Sequence, residues 1–254
     1  MKSIKDKVAI ITGAAMGMGA STAEVFARAG AKVVVVDFNT ELGQLQADKI
    51  NESGGDALFV YADISKEKDI EAMVRKTVEK YGRLDIAINN AARKPDAKPI
   101  HEMDEKEFEE LIGVDLKGVA LCMKHEIKQL LKQNEGGSII NISSVSGIRP
   151  QPSNPIYVAA KHGVIGLTKY GSLEYSKYNI RVNAIAPGAV DTPMLRTALK
   201  EFNLDPVTYA KKLSTVGRFA EAEEIANVSL WLASDLASYV TGAIITVDGG
   251  YTAM

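Results

Sequence analysis

The chain has a single cysteine, and its positive and negative charges nearly balance. Its 254 residues carry 30 Lys and Arg against 32 Asp and Glu, which gives a formal net charge of −2. One cysteine, Cys122, excludes an internal disulfide framework and fits a reducing compartment. The balanced charge provides no basic field that would attract nucleic acid or an acidic membrane surface. We therefore expect neither as a partner.

Long apolar runs and linkers are also missing. No stretch of 18 apolar residues offers a membrane-spanning helix. The basic N-terminus precedes an apolar run of only four residues that ends at Thr12, which is too short for the core of a signal peptide. No linker rich in Pro and Ser, internal repeat or low-complexity stretch divides the chain. We therefore expect a soluble, cytoplasmic protein made of one domain, residues 1–254.

Apolar runs of strand length alternate with segments of helical period along the chain. Residues 67–81 and 222–234 place apolar side chains on one face and charged ones on the other, as amphipathic helices do. The apolar runs lack the polar alternation of a half-exposed sheet and are typical of buried parallel strands; they are residues 7–12, 31–37, 56–63, 84–90, 138–143, 180–186 and 243–248. This alternation predicts an α/β fold, and the length alone leaves a TIM barrel open.

The stretch "TGAAMGMGAS", residues 12–21, lies between the first apolar run and a helix-like segment. Its glycines would weaken a helix, but a glycine-rich turn lets the backbone approach a pyrophosphate at a helix N-terminus. The alternative is that the glycines only permit tight packing. Asp37 ends the second predicted strand, where an acidic side chain accepts hydrogen bonds from the adenosine ribose. The two features in one βαβ unit favour nucleotide binding.

Tyr157 and Lys161 lie one turn apart on a helix predicted to begin at Asn154 and Pro155. In one interpretation they are an ordinary surface pair with a packed tyrosine. In the other, the tyrosine is a proton acceptor, and its ordinary pKa near 10 must fall by about three units. A lysine cation at roughly 4 Å supplies about the 4 kcal/mol that this requires at an effective dielectric constant of 20.

The turn at residues 12–19 is similar to the Thr-Gly-x-x-x-Gly-x-Gly turn of the short-chain dehydrogenase/reductase family, and the resemblance covers nearly the whole chain. Ala92 stands where the family has a glycine. The resemblance implies a single-domain, doubly wound Rossmann fold with a seven-stranded parallel sheet in the order 3-2-1-4-5-6-7, flanked by helices. Other matching blocks are "NNAA" (89–92), "SIINISS" (138–144), "YVAAK" (157–161), "PGAVDTPM" (187–194) and "YVTGAIITVDGG" (239–250).

The resemblance also implies catalytic roles. Tyr157 would exchange the proton of the alcohol, Ser144 would hydrogen-bond the substrate oxygen, and Lys161 would lower the pKa of the tyrosine. Asp115 stands where the family has an asparagine whose main-chain carbonyl holds a water, and we expect this backbone role to dominate. An ionised Asp115 close to Lys161 would instead favour the lysine cation and oppose the tyrosinate, and a protonated one could imitate the amide as a donor. The cofactor would be NAD, held by Gly13, Gly17, Met18, Gly19, Asp37, Asp63, Ile64, Asn90, Tyr157, Lys161, Pro187, Gly188, Val190 and Thr192.

These observations predict an NAD(H)-dependent oxidoreductase that interconverts a secondary alcohol and a ketone by hydride transfer. NAD is expected because Asp37 would repel the 2′-phosphate of NADP and no cation stands nearby to receive it. One alternative is a 3-oxoacyl-(acyl carrier protein)-type ketoreductase, for which Lys124, Lys128 and Lys132 would form a docking face. Another is a protein that binds or senses NAD without turnover.

Four further expectations concern the lid, the substrate, metal binding and the assembly. Residues 193–213 break the βα rhythm and predict a small helical lid over the site. Arg93 and Arg149 lie in loops expected to face the cleft, which suggests an anionic substrate. No metal site is expected, because the histidines lack ligand-like spacing with carboxylates or Cys122. The family resemblance implies a homotetramer.

Overall fold

The computed structural model describes residues 4–254, in which seven strands form one parallel sheet. All seven predicted strands are present. They are β1 (Val8–Thr12), β2 (Lys32–Asp37), β3 (Asp56–Tyr61), β4 (Ile86–Asn89), β5 (Gly137–Ile142), β6 (Ile180–Pro187) and β7 (Ile244–Val247).

Helices connect the strands, and the predicted helix at 67–81 has the predicted bounds. A π-helical segment, Gly113–Gly118, joins two of the helices into one continuous rod. The helices are α1 (Gly17–Arg28), α2 (Thr40–Glu52), α3 (Glu67–Tyr81), α4 (Glu105–Ile112), α5 (Val119–Gln133), α6 (Pro155–Tyr175), α7 (Pro193–Glu201), α8 (Pro206–Leu213) and α9 (Ala222–Ala233).

The strand order is β3-β2-β1-β4-β5-β6-β7, which confirms the predicted doubly wound topology and excludes the barrel. Successive side chains of a strand point to opposite faces. In β1, Ile10 packs toward α3, α5 and α6, while Ile11 packs toward α1, α2 and α9. Burial on both faces explains why the strands read as continuous apolar runs.

In two of the strands that are shorter than their apolar runs, polar side chains turn the chain at the end of the strand. The run at 56–63 leaves the sheet after Tyr61, and the Asp63 carboxylate then accepts a hydrogen bond from the Ser65 amide. The run at 84–90 leaves it after Asn89, because Asn90 turns to bond Thr12 on the neighbouring strand. Both departures lie at the carboxyl edge of the sheet.

The segment expected to form a lid contains α7 and α8, with Leu199 buried against the body of the protein. Met194, Phe202 and Leu204 are exposed instead, at 42%, 51% and 36%. Across residues 4–254, no helix has both the length and the apolar character needed to cross a bilayer.

Candidate active site

The residues predicted to form the site gather at one edge of the sheet. They follow the carboxyl ends of β1 to β6, or lie on α6 and on the π-helical segment. The order of strands reverses between β1 and β4. In open α/β sheets such a reversal opens a crevice in which ligands bind.

The glycine turn after β1 is closely packed, which accounts for two of its glycines. A Cβ on Gly13 would lie 2.7 Å from the Ala91 Cα, and one on Gly19 would lie 2.1 Å from the Gly13 carbonyl oxygen. Gly17 has a positive φ of 59° and lies beside Thr192. Close packing therefore requires glycine at positions 13 and 19, and binding of a cofactor by this turn stays a prediction.

The start of α1 fits an anionic group. No side chain in the described part of the chain caps this helix, and its first turn holds no acidic residue. The first amide groups of a helix lack partners within the helix and carry the positive end of its dipole. The amides of Gly17, Met18 and Gly19 are therefore suited to a pyrophosphate.

Asp37 lies at the end of β2 with its carboxylate fixed beside this turn. Its Oδ2 accepts from the Ala15 amide at 3.1 Å, and its Oδ1 accepts from the Asn39 amide at 2.9 Å. Each oxygen keeps a lone pair with which it could accept from a ribose hydroxyl. Phe38 is 73% exposed. Residues 13–19 and 37–39 contain no lysine or arginine that could neutralise a 2′-phosphate.

Asn90 holds the first turn in place. Its Nδ2 donates to the main-chain oxygens of Thr12 at 2.9 Å and Gly13 at 3.1 Å, and its amide donates to the Thr12 hydroxyl at 3.0 Å. These bonds fix the turn against the end of β4. Asn90 thus has a structural role next to the expected position of the cofactor.

Asp63 and Ile64 follow β3 and are engaged with their own surroundings. The Asp63 carboxylate accepts from the amide and hydroxyl of Ser65, at 3.0 and 2.7 Å, and pairs with Lys66 at 3.0 Å. Ile64 is buried against Gly118, where a Cβ would come within 2.9 Å of the Ile64 carbonyl oxygen. Their contact with the adenosine end of a cofactor stays a prediction.

The segment after β6 forms the opposite wall of the crevice. Pro187 ends the strand, and a Cβ on Gly188 would lie 2.8 Å from the Asp248 Cα. Val190 is buried and forms an isolated bridge with Ala220. Thr192 begins α7, and its hydroxyl accepts from the third amide of that helix at 3.4 Å. This segment therefore leads directly into the predicted lid.

The structure brings Ser144, Tyr157 and Lys161 together. Ser144 follows β5 and is 9% exposed, and its hydroxyl is close enough to Tyr157 to lower the pKa of the phenol. Lys161 is 1% exposed, with its Nζ 5.3 Å from the centre of the Tyr157 ring. The Nζ also donates to the Ile142 carbonyl at 3.3 Å. The three side chains thus form one cluster, in which Ser144 and Lys161 are buried and Tyr157 is half-buried.

Asp115 joins this cluster through its side chain. Its Oδ2 forms an ion pair with Lys161 Nζ at 3.2 Å, and its Oδ1 accepts from the Arg93 amide at 2.8 Å. The carboxylate is fully buried in the π-helical segment. Irregular segments of this kind occur frequently at functional sites. This contact corresponds to the alternative in which an ionised Asp115 lies beside Lys161, and the dominance of the backbone role stays a prediction.

This carboxylate changes the electrostatics of the tyrosine. Burial raises the pKa of Tyr157, the Lys161 cation lowers it, Asp115 raises it, and the hydrogen bond from Ser144 lowers it; the net direction is upward. Burial disfavours the cation of Lys161, but Asp115 and Tyr157 outweigh this effect and raise its pKa. The lysine cation is expected to lower the pKa of Tyr157, but in this structure burial and, to a smaller extent, Asp115 outweigh it.

Sequence reasoning missed two groups that support the cluster. The buried Asp96 carboxylate accepts from the amides of Ile156 and Tyr157, at 3.2 and 3.0 Å. The Ser143 hydroxyl donates to the Lys161 carbonyl at 2.9 Å and so ties the end of β5 to α6. Ser143 could have been found from its place beside Ser144, whereas Asp96 lies in a loop with no motif.

The two arginines expected to face the cleft are occupied elsewhere. Arg93 pairs with Glu110 at 2.8 Å. Arg149 donates to the Met254 carbonyl at 2.8 Å, and its guanidinium lies 5.2 Å from the centre of the Tyr251 ring. These contacts remove the support for an anionic substrate. Within residues 4–254, no cluster of three or more His, Cys, Asp or Glu side chains is arranged to hold a metal ion.

Comparison with known proteins supports the same assignment. A family model described as "Enoyl-(Acyl carrier protein) reductase" matches residues 13–252. The "Short chain dehydrogenase/reductase astE" of Aspergillus oryzae is 49% identical over 98% of this chain and 95% of its own length. A 2,5-dichloro-2,5-cyclohexadiene-1,4-diol dehydrogenase of Sphingobium indicum is 40% identical over the full length of both chains. The crystal structure of levodione reductase matches with a TM-score of 0.93 at 37% identity, and the match covers 98% of each chain.

The chain therefore belongs to the short-chain dehydrogenase/reductase family. Members of this family are oxidoreductases that use nicotinamide cofactors. The predicted resemblance is confirmed, as is the coarse class of activity. The preference for NAD, the role of each site residue and the substrate are not decided by these similarities.

Proposed function

We propose that the protein is an NAD(H)-dependent oxidoreductase that interconverts a secondary alcohol and a ketone, with Tyr157 as the acid and base. The observation that carries this proposal is the cluster of buried Ser144, half-buried Tyr157 and buried Lys161 beside an uncapped α1. A protein that only bound or sensed NAD would have no need of a tyrosine paired with a buried lysine cation. Perturbed ionisable groups of this kind are typical of reactive sites.

The cofactor site would be built from the loops at the carboxyl edge of the sheet. The α1 amides would hold the pyrophosphate, and Asp37 would accept from the ribose of the adenosine. Asp63 and Ile64 would contact its adenine end, while Asn90, Lys161 and Thr192 would lie along its nicotinamide half. The residues proposed for this site, besides these, are Gly13, Gly17, Met18, Gly19, Tyr157, Pro187, Gly188 and Val190.

Hydride transfer to or from the substrate carbon is the chemistry that a bound nicotinamide supplies. The residues of the protein must then hold the substrate oxygen and transfer one proton to it or from it. Ser144 would hydrogen-bond this oxygen, and Tyr157 would donate a proton to it during ketone reduction or accept one during alcohol oxidation. Lys161 would stabilise the phenolate that forms when the proton leaves.

Burial, with a smaller contribution from Asp115, gives this site a preferred resting state by raising the pKa of Tyr157. Because the raised pKa of Tyr157 keeps its phenol protonated at neutral pH, the free enzyme holds the proton that ketone reduction consumes. Oxidation would require the phenol to lose this proton first. We therefore infer that reduction is favoured near neutral pH and that oxidation is faster in alkaline solution.

We propose a ketone or secondary alcohol on a carbocyclic ring as the substrate class. One relative is named for a cyclohexadiene diol and a structural neighbour is named for levodione. Met194, Phe202 and Leu204 give the lid segment exposed apolar side chains that could contact an apolar substrate, and the two nearby arginines are already paired. An uncharged ring fits these features better than an anion.

The ketoreductase alternative has less support. Its expected docking face depends on Lys124, which already pairs with Glu67 at 2.6 Å. Because the matching family model is described as an enoyl-(acyl carrier protein) reductase, a substrate attached to an acyl carrier should also be tested. A ketone carried on a short pantetheine thioester therefore belongs in the assay panel.

At the level of the whole chain, we propose one catalytic domain over residues 1–254, with 193–213 as the lid. We also propose that the protein is a homotetramer, as the family resemblance implies. A cytoplasmic location is supported by Cys122, which is buried as a free thiol. The tetramer can be tested by measuring the mass of the purified protein in solution.

The proposed activity is tested by following the absorbance of reduced cofactor with purified protein. The panel would include cyclohexanol and cyclohexanone derivatives, acyclic analogues and the thioester ketone, each with NADH and NADPH or their oxidised forms. The proposal expects turnover of ring substrates with NAD(H), and loss of that turnover in Tyr157→Phe. Tight binding of NADH without turnover of any panel member would favour a binding protein instead.

A further inference from the structure

The loop after β4 supplies a carboxylate that caps the helix carrying Tyr157. Asp96 is 5% exposed, and its two oxygens accept from the second and third amides of α6, those of Ile156 and Tyr157. The bond to the Tyr157 amide measures 3.0 Å and spans 61 residues of sequence. A cap normally comes from the residue directly before the helix; this one comes from another part of the fold.

The local sequence does not provide this cap. Asn154 occupies the capping position, but its side chain forms no capping bond within residues 4–254, and Pro155 at the first helical position has no amide hydrogen. The two following amides would be left unpaired in a largely buried site. Asp96 satisfies both of them, and its negative charge lies at the positive end of the α6 dipole.

The same loop also supports the other half of the catalytic pair. Three residues before Asp96, the Arg93 amide donates to Asp115, which in turn forms the ion pair with Lys161. The Asp96 side chain therefore contacts the main chain of Tyr157 directly, whereas Arg93 acts on Lys161 only through Asp115. Asn90, at the start of the loop, is bonded to the glycine turn after β1. This arrangement links the cofactor turn to both members of the pair.

We propose that Asp96 is a positioning residue for the reaction. Its carboxylate fixes the first turn of α6 and thereby sets where the Tyr157 phenol lies relative to Ser144 and the substrate oxygen. This inference rests on the proposed function, because it assigns Asp96 a role in the step that Tyr157 performs. Small displacements of reacting groups reduce rates strongly, even when the groups themselves are intact.

The experiment compares Asp96→Ala with Asp96→Asn and with a matched capping variant, Asp104→Ala. Asp104 caps α4 by accepting from the Glu107 amide at 2.9 Å and is exposed. Four quantities are measured on the purified enzyme: kcat and KM, the dissociation constant of NADH, the deuterium isotope effect on kcat with a carbinol-labelled alcohol, and the unfolding temperature. Loss of either cap should lower the unfolding temperature by about 2–4 °C.

Asp96→Ala should lower kcat by about 10- to 100-fold, with the NADH dissociation constant within about twofold of the wild type. The isotope effect should rise as the transfer step becomes rate-limiting. Asp96→Asn keeps only one of the two acceptor oxygens, so it should lower kcat, but by less than Asp96→Ala. Asp104→Ala should keep kcat within about twofold because its carboxylate caps α4 and not α6.

An Asp96→Ala variant that keeps the kcat and isotope effect of an active wild type would overturn the positioning role and leave the proposed function intact. A similar loss of kcat in Asp104→Ala would also overturn it, because any weakened cap would then have the same effect. If Asp96→Ala does not fold, Asp96→Asn decides alone: normal stability with a reduced kcat supports the role, and unchanged kcat opposes it. A wild type that binds NADH without turnover would overturn both proposals.

Discussion

Replacing Asp115 with asparagine should move the pH dependence of alcohol oxidation to lower pH. The substitution keeps the size of the side chain and an oxygen that can accept from the Arg93 amide, but it removes the negative charge beside Lys161. That charge opposes formation of the Tyr157 phenolate and raises the pKa of the tyrosine. Without it, the lysine cation acts on the phenol with less compensation, so the base becomes available at lower pH.

The size of the shift follows from two distances. Lys161 Nζ lies 5.3 Å from the centre of the Tyr157 ring and 3.2 Å from the Asp115 carboxylate. The carboxylate therefore lies within about 8.5 Å of the ring centre, the sum of these two distances. A unit charge at this separation contributes about 2 kcal/mol at an effective dielectric constant of 20. This energy corresponds to a movement of the rate profile by about one pH unit or slightly more.

The assay is kcat for oxidation at saturating NAD⁺ and alcohol, measured against pH in both proteins. The rise of the rate with pH should occur about one unit lower in Asp115→Asn, and kcat at the optimum should stay within about tenfold. The charged groups that face Tyr157 are Lys161 from its own helix, Asp115 from the π-helical segment, and Asp96 at its main-chain amide. Of these three charges, the Asp115→Asn substitution removes only that of Asp115.

Asp85→Asn provides the matched control. Asp85 is also a buried carboxylate in ion pairs, with Lys7 at 3.2 Å and Arg83 at 2.6 Å, but it lies at the opposite edge of the sheet. The Asp85→Asn variant should be less stable than the wild type, but its kcat for oxidation should depend on pH as in the wild type. A profile that stays in place in Asp115→Asn, or moves to higher pH, would refute the electrostatic reasoning. Loss of activity at every pH would mean that the Asp115 carboxylate is needed to keep Lys161 charged or takes part in proton transfer.

Three further predictions concern the acid, the cofactor and the lid. Tyr157→Phe should lower kcat by about 10²- to 10⁴-fold while NADH binding, measured by fluorescence, changes little; near-full turnover would contradict its role. The wild type should prefer NAD(H), and Asp37→Ala combined with Phe38→Arg should reduce or reverse the ratio of kcat/KM for the two cofactors; a wild type that prefers NADPH would contradict this. Lys94 pairs with Glu201 at the end of α7, so Lys94→Glu should raise the substrate KM by about two- to tenfold, and adding Glu201→Lys should restore it. No rescue in the double variant would mean that the pair does not hold the lid.

The sheet and its helices could be predicted from the sequence because their signals are local. Helix α3 shows why: its apolar residues recur at the helical period and pack onto the sheet, and Gly82 ends it with a φ of 79°. The same holds for β1, whose five residues are all buried. The ends of strands were less predictable. They depend on which partner a polar side chain finds after the strand, as Asn90 finds Thr12 on a neighbouring strand.

The residues of the candidate site were predictable in identity but not in environment. The spacing of Tyr157 and Lys161 placed them on one face of a helix, and the structure brings Ser144 to them. The net effect of the neighbouring charges on the pKa of Tyr157 could not be predicted from this spacing. It depends on Asp115, which is 46 positions from Lys161 in the chain and reaches its Nζ only because the π-helical segment directs the carboxylate inward.

The loop between Asn90 and Asp96 explains why this environment escapes sequence reasoning. Its residues have no periodicity, and each acts on a different element: the glycine turn, the π-helical segment, the lid and the first turn of α6. The Arg93 contact uses the main-chain amide of the loop, which any residue except proline would provide, so the pattern of side chains holds no trace of it. If this loop sets the geometry of the reaction, changes in it should alter kcat without touching any recognisable motif, and the Asp96 variants test that conclusion directly.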